Sequence, residues 1–406
     1  MAEKKTNPEV RFAGFTDNWK NWKIGEVLTE RKNPIELQDD EVYELVKVKR
    51  RNEGVVSRGF LKGKDILTKT YFEIREGDYI ISKRQVVHGA NGIVPKSLNK
   101  AVVSNEYLVL TGNEKICTEF WTIISKLPNM YRKFFFSSYG VDIEKLVFDV
   151  EDWKKHTVVI PELNEQKRII QLLNVLENLI ILNQKKYDKL VTIKKALLEK
   201  MFPTNGANIP EIRISGYNEA WEEIELRDII SDFIVPMRDK PKKFSGNIPW
   251  TRIEDIQGRH LNDSLSGQYV SEETIKQMNL KIIPKGSLIV SASATFGIVA
   301  IVTKDLITNQ TFIGLVPKLN NDLIFLYTLF KSSSVQSKLR LASAGSTIFY
   351  IPRLMFEEMK IMYPKAEEQK AIGSFFQHLD NLISLYQCEL EKLKNIKKAC
   401  FEKMIS

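Results

Sequence analysis

The side chains best placed to do chemistry fall into two groups, and both suit gripping a polyanion. The first holds Lys47, Lys49, Arg50, Arg51 and Arg58, then Lys83, Arg84, His88, Asn91 and Asn105. The second holds Arg238, Lys240, Lys242, Lys243, Arg252, Arg259 and His260, followed by Ser291, Ser293, Thr295, Asn309 and Gln310. Arg can hold guanine bidentately, Asn or Gln can hold adenine, and Lys more often holds phosphate. Two Gly-containing loops, Ser137-Ser-Tyr-Gly140 and Ser343-Ala-Gly-Ser-Thr347 with Tyr350, are able to approach a nucleic-acid backbone. Ser346, Thr347 and Tyr350 therefore join the candidates for contact with DNA. Any one of these residues could equally be a solvated surface group, so the clusters carry the reading. The net charge of +9 agrees with a polyanionic partner.

Other chemistries find little support. Cys117, Cys388 and Cys400 are too scattered for a disulfide framework or a zinc site, and the four histidines have no ligand spacing. Glu358-Met-Lys360 has the Glu-x-Lys spacing of a nuclease motif but lacks an upstream acidic partner. No paired carboxylates or nucleophile and base stand out, and no Gly-x₄-Gly-Lys-Ser/Thr loop is present. No catalytic residue and no metal site are expected. The most apolar stretch, Leu288 to Val302, is broken by Ser291, Ser293 and Thr295, whereas a membrane helix needs roughly 20 apolar residues. The opening MAEKKTNPEV has no apolar core. A chain with no membrane contact and a cytoplasmic location is expected.

The elements that must position these groups come twice. Arg11-Phe-Ala-Gly-Phe15 with Trp19 aligns with Arg213-Ile-Ser-Gly-Tyr217 with Trp221, and Pro161-Glu-Leu-Asn-Glu-Gln166 aligns with Pro364-Lys-Ala-Glu-Glu-Gln369. The second match runs through Ile193-Lys-Lys195 and Ile396-Lys-Lys398 to Glu199-Lys-Met201 and Glu402-Lys-Met404. Two collinear anchors so far apart argue for duplication. Between them the copies diverge, with weak echoes such as Gly77-Asp-Tyr-Ile-Ile-Ser82 against Gly286-Ser-Leu-Ile-Val-Ser291. Similar ends around different middles suit one architecture with two specificities, although neutral drift of a duplicate would look alike.

Segments 165–201 and 368–404 have a heptad pattern. Ile169, Leu176, Asn183, Leu190 and Leu197 recur in the first; Ile372, Leu379, Tyr386, Leu393 and Cys400 recur in the second. Leu172, Leu179, Ile193, Phe375, Leu382 and Ile396 fill a second stripe, and Leu173, Ile180, Tyr187, Phe376, Ile383 and Leu390 widen the face, so each helix should meet more than one neighbour. Asn164 reads as an N-cap, and Pro203 with Gly206 ends the first helix. Such a helix spans roughly 55 Å.

The expected fold is α+β, with two mixed α/β domains related by a pseudo-two-fold axis and joined by two long antiparallel helices. The segments are 1–152 for the first domain, 153–203 for a linker and first helix, 204–363 for the second domain and 364–406 for the second helix. Runs Tyr43 to Lys49, Tyr79 to Ser82, Val102 to Leu110 and Leu288 to Ser291 read as strands, and Asn320 to Lys338 as helical. Two unlike readers held about one duplex turn apart, roughly 34 Å, would meet an asymmetric bipartite DNA site.

In this order and duplication, the motifs resemble a type I restriction–modification specificity subunit across nearly the whole chain. They are the R-[FI]-x-G-[FY]-x₃-W element, the P-x₃-E-Q entry into a long helix ending Glu-Lys-Met, Gly286-Ser-Leu-Ile-Val-Ser291-Ala-Ser-Ala-Thr-Phe-Gly297 and Thr308-Asn-Gln310. The first domain departs from the third motif, with Ser82-Lys-Arg-Gln-Val-Val-His88 in its place. The resemblance implies target recognition domains that each read one half-site of double-stranded DNA. It implies helices that set the spacer and dock two modification (methyltransferase) subunits, which methylate adenine with S-adenosylmethionine. Restriction subunits with an ATP-driven motor and nuclease would join them, using ATP and Mg2+ while this chain itself binds no cofactor. The absence of an Asn/Asp-Pro-Pro-aromatic run agrees with a non-catalytic subunit. A self-contained nuclease or methyltransferase is one competing reading; a two-domain protein-binding scaffold without sequence-specific DNA contact is another.

Overall fold

The computed structural model describes all residues except 1–6, 68–69, 144–145, 205, 293–296, 344–350 and 406. The chain divides into two compact units. Unit 1 is Met1–Leu182 with Leu390–Ser406, and unit 2 is Asn183–Glu389. The first long helix, Leu163–Lys200, thus begins in unit 1 and ends in unit 2, and the second, Ala366–Ile405, does the reverse.

Within each unit the two helices run antiparallel. In unit 2, Lys194 lies 2.5 Å from Asp380 and Lys186 sits 5.5 Å above the Tyr386 ring. In unit 1, Lys397 pairs with Glu177, while Met404 and Ile405 share a core with Ile169 and Leu173. Of the heptad residues, Ile169, Leu176 and Ile372 are buried; Asn183, Leu190, Leu197, Leu379, Tyr386, Leu393 and Cys400 are half-buried. The first helix starts at Leu163, so Asn164 lies in its first turn and does not cap it. Gly373 lets the second helix pass close to unit 2's body, since a Cβ there would meet Asp322 Oδ1 at 2.7 Å.

The same sheet lies at the heart of each unit. In unit 1 the strand order is Leu28–Glu30, Tyr107–Gly112, Tyr79–Ser82, Asn91–Ile93, with every pairing antiparallel. In unit 2 it is Ile230–Ile234, Phe312–Pro317, Leu288–Ser291, Val299–Val302, again antiparallel. The inner strands Tyr79–Ser82 and Leu288–Ser291 are apolar up to a closing serine because both of their faces are covered. Gly77 and Gly286, with φ of 84° and 85°, make equivalent left-handed turns into the strands Tyr79–Ser82 and Leu288–Ser291. Helices Thr118–Ile124 and Pro128–Phe136 supply Trp121 and Phe134 to the first core; Leu323–Lys331 supplies Phe325 and Phe330 to the second.

The apolar run Val102 to Leu110 is two strands, Val102–Ser104 and Tyr107–Gly112, because the polar Asn105-Glu106 turn moves the chain to another sheet. The stretch Asn320 to Lys338 is likewise two helices, Leu323–Lys331 and Ser333–Ser343, separated by an extended Ser332 with ψ of 150°.

Outside the shared sheet the units part. Unit 1 builds a five-stranded sheet, in which the hairpin Val42–Val48 with Val55–Lys62 is the longest piece. Unit 2 has a three-stranded sheet around Ile248–Thr251, a helix Glu272–Met278, and two short strands that extend its main sheet to six. One parallel pairing survives in both, Leu45 beside Val102 and Trp250 beside Ile307.

Candidate nucleic-acid interface

Each unit is tied to a long helix by the same charged fork. Arg11 donates through Nε and Nη2 to Glu165 at 2.8 and 2.7 Å, and Arg213 donates likewise to Glu368 at 2.8 and 2.7 Å. Both carboxylates are almost fully buried, and the hydrogen bond to each raises the pKa of its guanidinium further. Gln166 and Gln369, next in sequence, each donate to a backbone carbonyl, that of Pro161 or Pro364, at 2.8 and 2.9 Å. A strand following the tryptophan pairs with the strand before the helix, Lys20–Lys23 with Thr157–Ile160 and Glu222–Glu225 with Lys360–Tyr363. These are the duplicated sequence anchors, and they form the frame that positions everything else.

On that frame each unit carries a basic cleft. The cleft of unit 1, about 410 Å³, is lined by Arg50, Arg51, Asn52, Val87, His88, Gly89 and Tyr131. It forms where the tip of the long hairpin docks on the turn between Tyr79–Ser82 and Asn91–Ile93. Arg51 and Asn52 adopt φ of 60° and 57°, and their N–H groups donate to the carbonyls of His88 and Gly89 at 2.7 and 2.9 Å. Left-handed backbone at an arginine is uncommon and marks a turn held by its surroundings. Asn52 Oδ1 and Gln85 Oε1 are buried there without a hydrogen-bond partner among the described residues.

The cleft of unit 2, about 330 Å³, is lined by Arg238, Lys240, Trp250, Arg252, Asn309, Gln310 and Thr311. The chain after Ile248–Thr251 supplies Arg252, whose Nη2 donates to Gln268 Oε1 at 2.7 Å. Lys240 lies 5.3 Å over the Phe244 ring, which packs on Trp250. Asn309 turns its Oδ1 to the Thr311 N–H at 3.2 Å, which leaves Gln310 exposed at the tip of the turn.

Of the predicted contacts, Arg50, Arg51 and His88 come together in one cleft and Arg238, Lys240, Arg252, Asn309 and Gln310 in the other. Lys47, Lys49 and Arg58 are exposed on or beside the hairpin, and Lys242 and Lys243 are exposed beside the second cleft's loop. Lys83 reaches the Asn105 carbonyl at 2.8 Å, and Arg84 pairs with Glu106 at 2.7 Å, so both brace one turn. Asn91 is in the core, accepting from the Tyr79 hydroxyl at 2.7 Å, and Ser291 is fully buried at a strand end. Arg259 turns to the second long helix, 3.2 Å from Asn381 Oδ1 and 4.0 Å from Asp380. Burial, and then the charge of Arg259, lower the pKa of the neighbouring His260; burial beside Asp380 pushes the Tyr327 hydroxyl up to about 12. Ser293, Thr295, Ser346, Thr347 and Tyr350 lie outside the described residues.

The sequence did not single out Asn52, Tyr131, Trp250 or Thr311 as site residues. Asn52 was the most accessible of them, since an Asn after two arginines and before Glu53-Gly54 is what a tight turn favours. Among the described residues no cluster of His, Cys, Asp and Glu could hold a metal ion, and no helix is long and apolar enough to cross a membrane.

Two similar α/β bodies, each presenting a basic cleft and each pinned to a pair of long helices, define a protein that presents two unlike polar surfaces from one repeated frame. The type I restriction modification DNA specificity domain matches residues 16–192 and again 218–395, and the chain belongs to that family. The type I restriction enzyme MjaVIII specificity subunit of Methanocaldococcus jannaschii is 23% identical over 96% of this chain and 92% of its own length. The MjaIX specificity subunit of the same organism is 29% identical over 45% of this chain, and that alignment spans 43% of the relative. The HindI specificity subunit of Haemophilus influenzae is 22% identical over 90% of this chain and 95% of its own length. Among solved structures, the HsdS subunit from Thermoanaerobacter tengcongensis has the same fold at 17% identity, with a TM-score of 0.55 over 95% of this chain and 96% of that one.

Proposed function

We propose that this chain is the DNA sequence-specificity subunit of a type I restriction–modification complex. Each unit reads one half of an asymmetric bipartite site. The observation that carries this reading is the pair of basic clefts, built on one sheet in two units but from different loops. A duplicated frame with unlike clefts suits a target with unlike halves.

In this reading the chain performs no chemistry. It places two modification subunits, which methylate adenine with S-adenosylmethionine, and restriction subunits, which use ATP and Mg2+ to cleave unmarked DNA. The long helices, each shared between the units, set the spacer between the half-sites and dock these partners. Their second apolar stripe supports that role. Leu179, Ile193, Phe375, Leu382 and Ile396 remain exposed, which is a costly surface for a chain that works alone.

The test is a binding series with the chain assembled with its modification subunits. Single-base substitutions across the bound site should weaken binding in two separate blocks, by about 1–3 kcal/mol per substitution, with an indifferent spacer between them. Equal penalties at central and flanking positions would sink the reading. Binding that ignores sequence while the assembly stays intact would favour the scaffold.

A further inference from the structure

Helix Pro128–Phe136 of unit 1 carries aromatic rings that its core does not use. Met130 and Phe134 point inward, whereas Tyr131, Phe135 and Phe136 are exposed, Phe136 by 72%. Tyr131 stacks on Phe135 with ring centroids 6.5 Å apart, and Phe135 meets Phe136 edge-on at 6.2 Å. Tyr139, Val141 and Ile143, a few residues further along the chain, are also exposed. A contiguous apolar patch of this kind on a folded body marks a contact surface.

The ridge is continuous with the basic cleft, because Tyr131 lines that cleft together with Arg50, Arg51, Asn52 and His88. Exposed Arg132 lies within the ridge. Cations beside exposed rings suit a nucleic acid whose bases have been parted, with cations on phosphate and rings on base faces. A protein partner that docks once on each unit would need the surface twice. The second helix after the shared sheet in unit 2, Ser333–Ser343, contains no aromatic residue.

We infer that the Tyr131–Phe135–Phe136 ridge inserts between base pairs beside the half-site read by unit 1 and opens one base step there. This inference rests on the DNA-reading function proposed above. It makes the complex mechanically lopsided: one half-site is deformed as well as read. Specificity in that half then includes how easily the step unstacks, so flexible pyrimidine–purine steps are favoured at a position no polar side chain touches.

The test uses the chain assembled with its modification subunits and duplexes carrying 2-aminopurine at each step in turn. Fluorescence should rise at one step in the half-site of unit 1, and the rise should vanish in Phe136→Ala and in the Phe135→Ala/Phe136→Ala double variant. Signals from the methylated adenines, present in both halves, should survive. The double variant should bind the intact duplex about tenfold more weakly, and a mismatch that opens the step beforehand should restore its affinity. No ridge-dependent signal at any step, in a complex that still selects its sequence, overturns the inference. So does a variant that keeps wild-type DNA affinity but loses the modification subunits, which would reassign the ridge to a protein contact. A wild-type complex with no sequence preference would instead overturn the reading beneath it.

Discussion

Arg11 on Glu165 and Arg213 on Glu368 repeat the same fork at the same distances, while the two basic clefts draw on different loops. Unit 1 uses a hairpin tip and the turn at Val86–His88; unit 2 uses residues 238–252 and the turn at 309–311. The difference teaches where each kind of constraint acts. A buried carboxylate cannot lose its arginine without a large penalty, so the frame tolerates little change. A solvent-facing loop can change its charge and length at small cost, provided the sheet beneath it stays closed. Two copies of one unit can therefore diverge in what they touch while remaining alike in how they are held.

The comparison can be broken most severely at the fork. Arg11→Ala and Arg213→Ala each strand a buried carboxylate, and each should destabilise its own unit by about 3–5 kcal/mol. Denaturant-dependent hydrogen exchange, followed separately in peptides of each unit, measures this. The two losses should be similar, and a fork whose loss costs under about 1 kcal/mol would end the equivalence.

A smaller effect should separate the clefts. Arg51→Ala should cost about 1–3 kcal/mol of discrimination in one half-site only, and Arg252→Ala a similar amount in the other. Affinity measured against a single-base substitution panel reads it. Losses in the same half from both variants would contradict separate reading.

Outside the clefts the prediction is uniform weakening. Lys49→Ala and Lys243→Ala should reduce affinity alike for specific and unrelated duplexes. Each should lower the slope of log affinity against log salt by about one, as read from titrations at several salt concentrations.

The smallest effect concerns His260. Burial, and then the charge of Arg259, lower its pKa from 6.5, so the folded unit keeps the ring neutral after the unfolded chain has begun to take up a proton. The contribution to the stability of unit 2 should be constant above about pH 6.5 and should fall as pH drops below it. His260→Gln should flatten that fall in thermal melts.

Much of the frame was legible because duplication wrote it twice. Arg11 and Arg213 stand in one anchor, and Glu165 and Glu368 in the other. The pairing itself was hidden, since a contact between positions 154 apart leaves no local trace. The long helices were legible through their heptads, which depend only on spacing along one element. Asn91 and Ser291 stood among the candidate DNA contacts, but both are buried, and no periodicity along the chain reports that burial. Ser332 divides two helices that read as one because the apolar pattern runs on past it. Asn52 and Tyr131 line one cleft only because a hairpin tip docks on a distant turn, so their joint meaning exists in three dimensions alone.

The central claim, that two separable readers sit on one frame, is tested most directly by exchange. Residues 204–363 are replaced with the corresponding segment of another specificity subunit, the hybrid is expressed beside its modification subunit, and adenine methylation is mapped across the genome. The account predicts that one half of the methylated site changes to the donor's sequence while the other half stays as it was. A change in both halves, or in neither while methylation persists, would contradict it.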